Sequence, residues 1–346
     1  MKFTKKRLDQ VERCYSTAHI RIDGELYALF ASEQVAGPCY AYSGPDLSQK
    51  ETVWEKAGGT MSIVEIPGTN GQFLGVQNFF PGFQAQKAKL VWGKRDGVKG
   101  WQVQDFIDLP YVHRFDILRS GGVNYLVAAT LCGSKKDRED WSDLGKVYVG
   151  VLPETPEEGV HLTPLLEGSV KNHGYWRGEL GGQPCGFITC DNGVYTVIPP
   201  QTPGGEWETK RLLDVPVSDV AIYDLDGDGE DEIITIEPFH GDQVKIYHKA
   251  DDGYQVVYTY PGEYNFAHAL WAGRLRGIPA VVLGIRRLQA ELAIIRFSPE
   301  KSSYVETIID QGCGPSNVDV IPQKESDLIL CANNSVHEAA VYIVTD

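Results

Sequence analysis

Short apolar runs rich in Val, Ile, Leu and Tyr recur along the whole chain, and clusters of Gly, Pro, Asp and Asn separate them. That is the pattern of β-strands joined by turns. No segment longer than about 12 residues carries a helical period. The runs fall into sets of four. The clearest set spans 207–249 and reads WETKRLLD, SDVAIYDL, DEIITIEP, DQVKIYHK. After it come YQVVYTY, FAHALWAG, PAVVLGIR, LAIIRFSP, and then YVETIID, NVDVIP, DLILCA, AAVYIVTD. Toward the N-terminus, WQVQDFID, YVHRFDIL, NYLVAATL, KVYVGVLP fits the same template, and three further sets complete the chain.

Seven units of about 50 residues follow, a period that signals a repeat architecture. Each unit makes one small antiparallel sheet with two faces to bury. Packing such sheets radially buries both faces and leaves only short edges. The expectation is an all-β, seven-bladed β-propeller of four-stranded antiparallel blades, forming a single domain over 1–346. The first element of each unit is expected to be the outer strand of the preceding blade. Residues near 3–8 then complete the last blade and close the ring. A pair of β-sandwiches is the competing fold, and the regular fourfold sets argue against it.

Composition narrows the function. The net charge is −15, which lacks the cationic footprint that binding nucleic acid or an anionic membrane surface requires. No apolar run is long enough to span a bilayer. The opening MKFTKKRLDQVERCYS has no apolar segment behind its charges, so no secretory signal is expected. Cys14, Cys39, Cys132, Cys185, Cys190, Cys313 and Cys331 are scattered singly, most within apolar runs. Buried, reduced thiols in a cytoplasmic protein are the expectation.

At 224–232 the chain reads DLDGDGEDE. Asp224, Asp226 and Asp228 supply alternate oxygens, Gly229 permits a sharp turn, and Glu232 adds a further ligand. This is the form of a calcium loop, or of an empty Asp/Gly turn. It resembles the loop of FG-GAP or VCBS-type propeller repeats, and the order of elements resembles such propellers throughout. EPFHGDQVKIYHK and FAHALWAGRLRGIPAVVLGIRR look like blades of the propeller part of the aldos-2-ulose dehydratases. That resemblance implies lyase chemistry on anhydrosugars or glucosones. The cupin-type domains found in those fungal enzymes are absent from this sequence, so their isomerase step is not implied.

Aligning the units places His19, His113, His173, Asp219, His268 and Asn317 near the start of the innermost strand, with Ser62 in the second unit. Innermost strands line a propeller's channel, so these side chains should converge at one mouth. Clustered imidazoles suit a divalent transition metal such as zinc, or general acid–base work near neutral pH. Polar residues that merely hold water at the mouth are the structural alternative. His113, His173 and His268 are the expected metal ligands and His19 or His240 the base. Lys135, Arg286 or Arg287 would stabilise an enediolate or hold an acidic group. Gln77, Asn78, Phe79, Asp219, Asn317, Asn333 and His337 are the expected substrate contacts. The polar loop 132–145 is a candidate lid. The expected activity is a metal-dependent dehydratase acting on a small keto-sugar or sugar-derived substrate. A carbohydrate- or protein-binding propeller and a metal-dependent hydrolase are the alternatives.

Overall fold

The computed structural model describes residues 1–81 and 84–346. Its strands form seven sheets of four, all antiparallel, in a ring. Blade one runs from Cys14–Ile22 to Gln49–Trp54, and blade two from Ile63–Glu65 to Gly100–Asp108. Blade three runs from Val112–Ser120 to Thr163–Ser169, and blade four from Tyr175–Leu180 to Glu208–Leu213. Blade five runs from Asp219–Tyr223 to Gly253–Thr259, and blade six from Asn265–Leu275 to Ser303–Asp310. Blade seven takes three strands from the end of the chain and its outermost strand, Lys2–Gln10, from the beginning. The expected propeller and its expected closure are both present. Among the described residues no helix is long and apolar enough to cross a membrane.

Burial explains the strand order. The second strand of a blade lies between two neighbouring blades and has no exposed face. Glu232–Glu237 and Asp327–Asn333 are accordingly buried at every position. Outer strands such as Gly253–Thr259 are mostly exposed. The buried apolar side chains divide into seven clusters, one in each layer between blades. Phe30, Leu47, Leu330 and Val341, for example, join blades seven and one. Burying a Leu or Phe side chain contributes about 1.5–3 kcal/mol, so each layer is a substantial adhesive. All seven cysteines are buried and unpaired.

Closure of the ring is polar as well as apolar. Lys2–Gln10 pairs antiparallel with Glu338–Thr345 from Lys2↔Thr345 to Gln10↔Glu338. Lys5 Nζ reaches Asp310 at 2.9 Å and Glu338 at 2.7 Å. Ser316 Oγ lies within 3.0 Å of the carbonyls of Cys14, Tyr15 and Ala332. Asn334 Nδ2 donates to the Cys14 carbonyl and Glu33 Oε1. Deleting residues 1–10 should expose the edge of Glu338–Thr345 and open one blade layer. The melting midpoint should fall by on the order of 10 °C, with aggregation on heating; an unchanged scanning-calorimetry transition would contradict this account of closure.

Candidate active site at the propeller axis

Four of the innermost strands begin with a residue that escapes the regular pairing. The register slips at Tyr15 in blade one, His113 in blade three, His268 in blade six and Ser316 in blade seven. In blades four and five the same position falls just ahead of the strand, at His173 and Ser218. A β-bulge bends its strand and re-aims the extra side chain. Here the re-aimed side chains meet across the ring. Tyr15 Oη lies 3.3 Å from His113 Nε2 and 3.2 Å from His268 Nε2. His113 stacks on His173 with centroids 4.5 Å apart, and His173 meets His268 edge-on at 4.9 Å. Blades one, three and six are not neighbours, so the axis is the only place where these contacts can form.

His240 joins from the loop after Glu232–Glu237. Its backbone is left-handed, with φ of 51°, and its N–H donates to Ser218 Oγ at 3.0 Å. Its ring stacks between Phe239 at 3.9 Å and Phe266 at 4.3 Å. Its Nε2 sits 3.1 Å from His173 Nε2. The imidazoles whose ligand atoms all lie within 4.8 Å of one another are His173, His240 and His268. This trio differs from the expected one: His240 takes the place of His113, which instead packs beside His173 and faces Tyr15.

Backbone carbonyls fix the tautomers. His268 Nδ1 is 2.7 Å from the Ser316 carbonyl, and His173 Nδ1 is 3.3 Å from the Ser218 carbonyl. Each Nδ1–H therefore donates outward and leaves an Nε2 lone pair facing the axis, the arrangement that orients metal-binding imidazoles. Charge agrees. Burial holds His113, His173 and His268 well below the usual histidine range; for His268 the Arg286 guanidinium adds to it. Burial, with Arg286 and Arg287 beside it, lowers His240 to about 3. All four rings are neutral at pH 7, as both ligation and base catalysis require.

Above the histidines lies a cavity of about 670 Å³, walled by Phe79, Phe239, Phe266 and Trp141 and edged by Arg13, Arg286 and Arg287. Phe79, expected as a substrate contact, is in this wall, edge-on to His113 at 5.1 Å. The loop 132–145 does lean over the cavity: Arg138, Glu139 and Trp141 line it, and Trp141 packs on Phe239 at 5.7 Å. Lys135 serves the loop itself. Its Nζ donates to the Asp140 carbonyl and sits 3.3 Å over Trp141.

Other expected residues lie elsewhere. His19 is four residues further along its strand than Tyr15, about 13 Å at the usual rise. It faces a second cavity of about 500 Å³ at the other end of the channel, with its Nδ1 2.6 Å from Asp319 Oδ2. Asp219 and Asn317 are one step along from the bulge position and also line that lower cavity. Burial raises Asp219 to about 7. Gly174 is required here, because a Cβ would come within 2.4 Å of Asp219 Oδ1. Asn333 is consumed within its own blade by Glu338 and Tyr342, and His337 Nδ1 accepts the Arg13 N–H across the closure seam. Gln77 ends its strand by pairing with Lys89, and the Asn78 N–H bonds the Ala57 carbonyl; neither lines the upper cavity.

The acidic turn of blade five lies at the end of its inner strand away from the histidines. Asp224 is spent on the turn, accepting the N–H groups of Gly227 and Gly229. Asp226, Asp228 and Glu232 remain together, and His248 from the third strand joins them, with its Nε2 2.9 Å from Asp228 Oδ2. Glu232 is wholly buried and burial raises it to about 7. A donor set containing imidazole departs from the all-oxygen shell that calcium favours.

In metal-free protein the buried histidines should make stability depend on pH. Their folded pKa values are depressed, so below the unfolded value of about 6.5 the unfolded chain binds more protons. Stability is present above that pH and is lost as pH falls. Asp219 and Glu232, raised by burial, act in the opposite sense. The readout is therefore a difference: relative to His240→Gln, wild type should lose about 1 kcal/mol per pH unit between pH 6.5 and 5 in urea unfolding. Parallel pH profiles would show that His240 is not held neutral. No protein-family model matches the chain, and no curated protein matches its sequence.

Proposed function

We propose that the upper cavity is the active site of a metal-dependent carbon–oxygen lyase, a dehydratase of a small keto-sugar or sugar-derived substrate. The observation that carries this reading is the convergence of His173, His240 and His268. They are neutral, and two of them are oriented by backbone carbonyls, beneath a pocket walled by aromatic rings. Three imidazoles suit zinc with one position left open. Bound there, a divalent cation would polarise a substrate carbonyl or hydroxyl oxygen as a Lewis acid.

The remaining groups suit proton transfer. With the trio committed to the metal, His113 is the free base and Tyr15 the acid beside it. Neutral His113 takes the proton α to the carbonyl, the carbon–carbon double bond forms, and the β carbon–oxygen bond breaks. Tyr15, raised by burial to about 12 and so protonated, gives its proton to the departing oxygen, which leaves as water or an alcohol. The 3.3 Å contact between Tyr15 and His113 then returns the proton and resets the pair. Arg286, 5.8 Å from the Tyr15 ring, offsets negative charge on an enediolate. Phe79 and Trp141 in the cavity wall supply apolar surface for a sugar ring.

The resemblance to FG-GAP or VCBS-type propellers and to aldos-2-ulose dehydratases supports the same reading. The two stretches that carry it contain Phe239, His240, Phe266, His268, Arg286 and Arg287, which are pocket residues. The mixed cluster of Asp226, Asp228, Glu232 and His248 is then a separate cation site that braces one turn, its occupant calcium or a transition metal.

Purified protein should retain about one equivalent of transition metal at the trio and should convert anhydro-keto-sugars to enones, followed by ultraviolet absorbance. His173→Ala should lose both metal and turnover. Tyr15→Phe should keep the metal and lose about 100-fold in kcat. Full turnover in metal-free protein, or in Tyr15→Phe, would remove this mechanism.

A further inference from the structure

The protein is strongly acidic, with a formal charge of −15, yet the upper cavity is not. Five cationic side chains line it, Arg13, Arg138, Lys171, Arg286 and Arg287, against two carboxylates, Glu33 and Glu139. An excess of one sign in a cleft of the opposite sign to the whole molecule concentrates the oppositely charged ligand there.

The internal pairing leaves part of that positive charge uncompensated. Glu33 is claimed by Arg13, whose Nη2 and Nε lie 2.6 and 2.8 Å from the same oxygen. Arg286 reaches that carboxylate only at 3.6 Å, and its hydrogen bond to a side chain among the described residues goes to neutral Asn334. One carboxylate therefore serves two guanidinium groups. Lys171 is paired with Asp191 at 2.6 Å. Among the described residues, Arg287 has no ion pair. Its guanidinium carbon rests 4.4 Å from the Phe266 ring centre, and that of Arg286 4.9 Å from the same ring. Phe266 in turn stacks on His240. Burial pushes Arg286 below the usual arginine range, the mark of a guanidinium that its single distant carboxylate does not offset.

We infer that the upper cavity selects a small sugar bearing an oxyanion, a carboxylate or a phosphate, held by Arg286 and Arg287 beside the histidine trio. A planar guanidinium pair matches either oxyanion with parallel N–H donors, and the aromatic walls take the apolar face of the ring. The inference rests on the reading of this cavity as the substrate site. It narrows the substrate from any keto-sugar to an acidic or phosphorylated one.

Calorimetric titration of the full chain with D-glucuronate, D-glucose 6-phosphate and D-glucose tests it. At least one anion should bind tenfold or more tightly than glucose, and added salt should shrink the margin. The tighter of the two anions identifies carboxylate or phosphate as the recognised group. Arg287→Gln, a change at an exposed position, should remove most of the margin while leaving the melting midpoint unchanged. Equal affinity for all three sugars, binding of none, or an intact margin in Arg287→Gln would overturn the inference. Selective anion binding without turnover of any sugar would count against the lyase reading alone. Turnover of a neutral sugar without anion selectivity would count against this inference alone.

Discussion

A four-stranded sheet with apolar side chains on both faces needs cover on both sides, and in this protein only another such sheet supplies it. The wholly buried second strands, Glu232–Glu237 and Asp327–Asn333 among them, have no other way to leave water. Each layer between blades therefore holds its own apolar cluster, and the layers can all be filled only if the seventh blade meets the first. The axial site follows from that demand. Strands that never pair with one another come within hydrogen-bonding distance because the ring has a centre.

What gathers at the centre is set by small departures from regular structure. The bulges turn one residue per strand out of the ladder, and those residues are Tyr15, His113, His268 and Ser316. The serine is spent on closing the ring, the tyrosine and histidines on each other. Burial and the neighbouring arginines act in the same direction on the imidazoles: both disfavour the protonated ring. Such a cluster is costly to charge and well suited to donate lone pairs.

The fold was legible from the chain because strand and turn signals repeat at one period, and even the closing role of residues near 3–8 could be read from the offset of the first unit. The site was legible in part. His113, His173 and His268 do share one position of the repeat, and Phe79 does wall the cavity. His19 was misplaced because the equivalent residue of blade one is Tyr15, and a match of residue type outweighed the count along the strand. Asp219 and Asn317 were off by one, since a bulge inserts a residue that pattern counting cannot see. His240 was noticed but given another role, because loop conformation decides where its ring stacks. His248 was missed: it reaches the acidic turn from the third strand, and no local spacing announces such a contact. Asn333 and His337 sit near the pocket in sequence terms, but contacts within blade seven consume Asn333 and the Arg13 N–H consumes His337 Nδ1.

That seam also sets an order of events during synthesis. The strand Lys2–Gln10 is synthesised well before Glu338–Thr345, the strand it pairs with. Until that partner is made the early strand waits unpaired, and blades one to six stand as an open arc with two bare apolar flanks. Its half-exposed, charge-rich sequence, KFTKKRLDQ, is suited to that wait, because lysines along an unpaired edge discourage strand-to-strand association between chains.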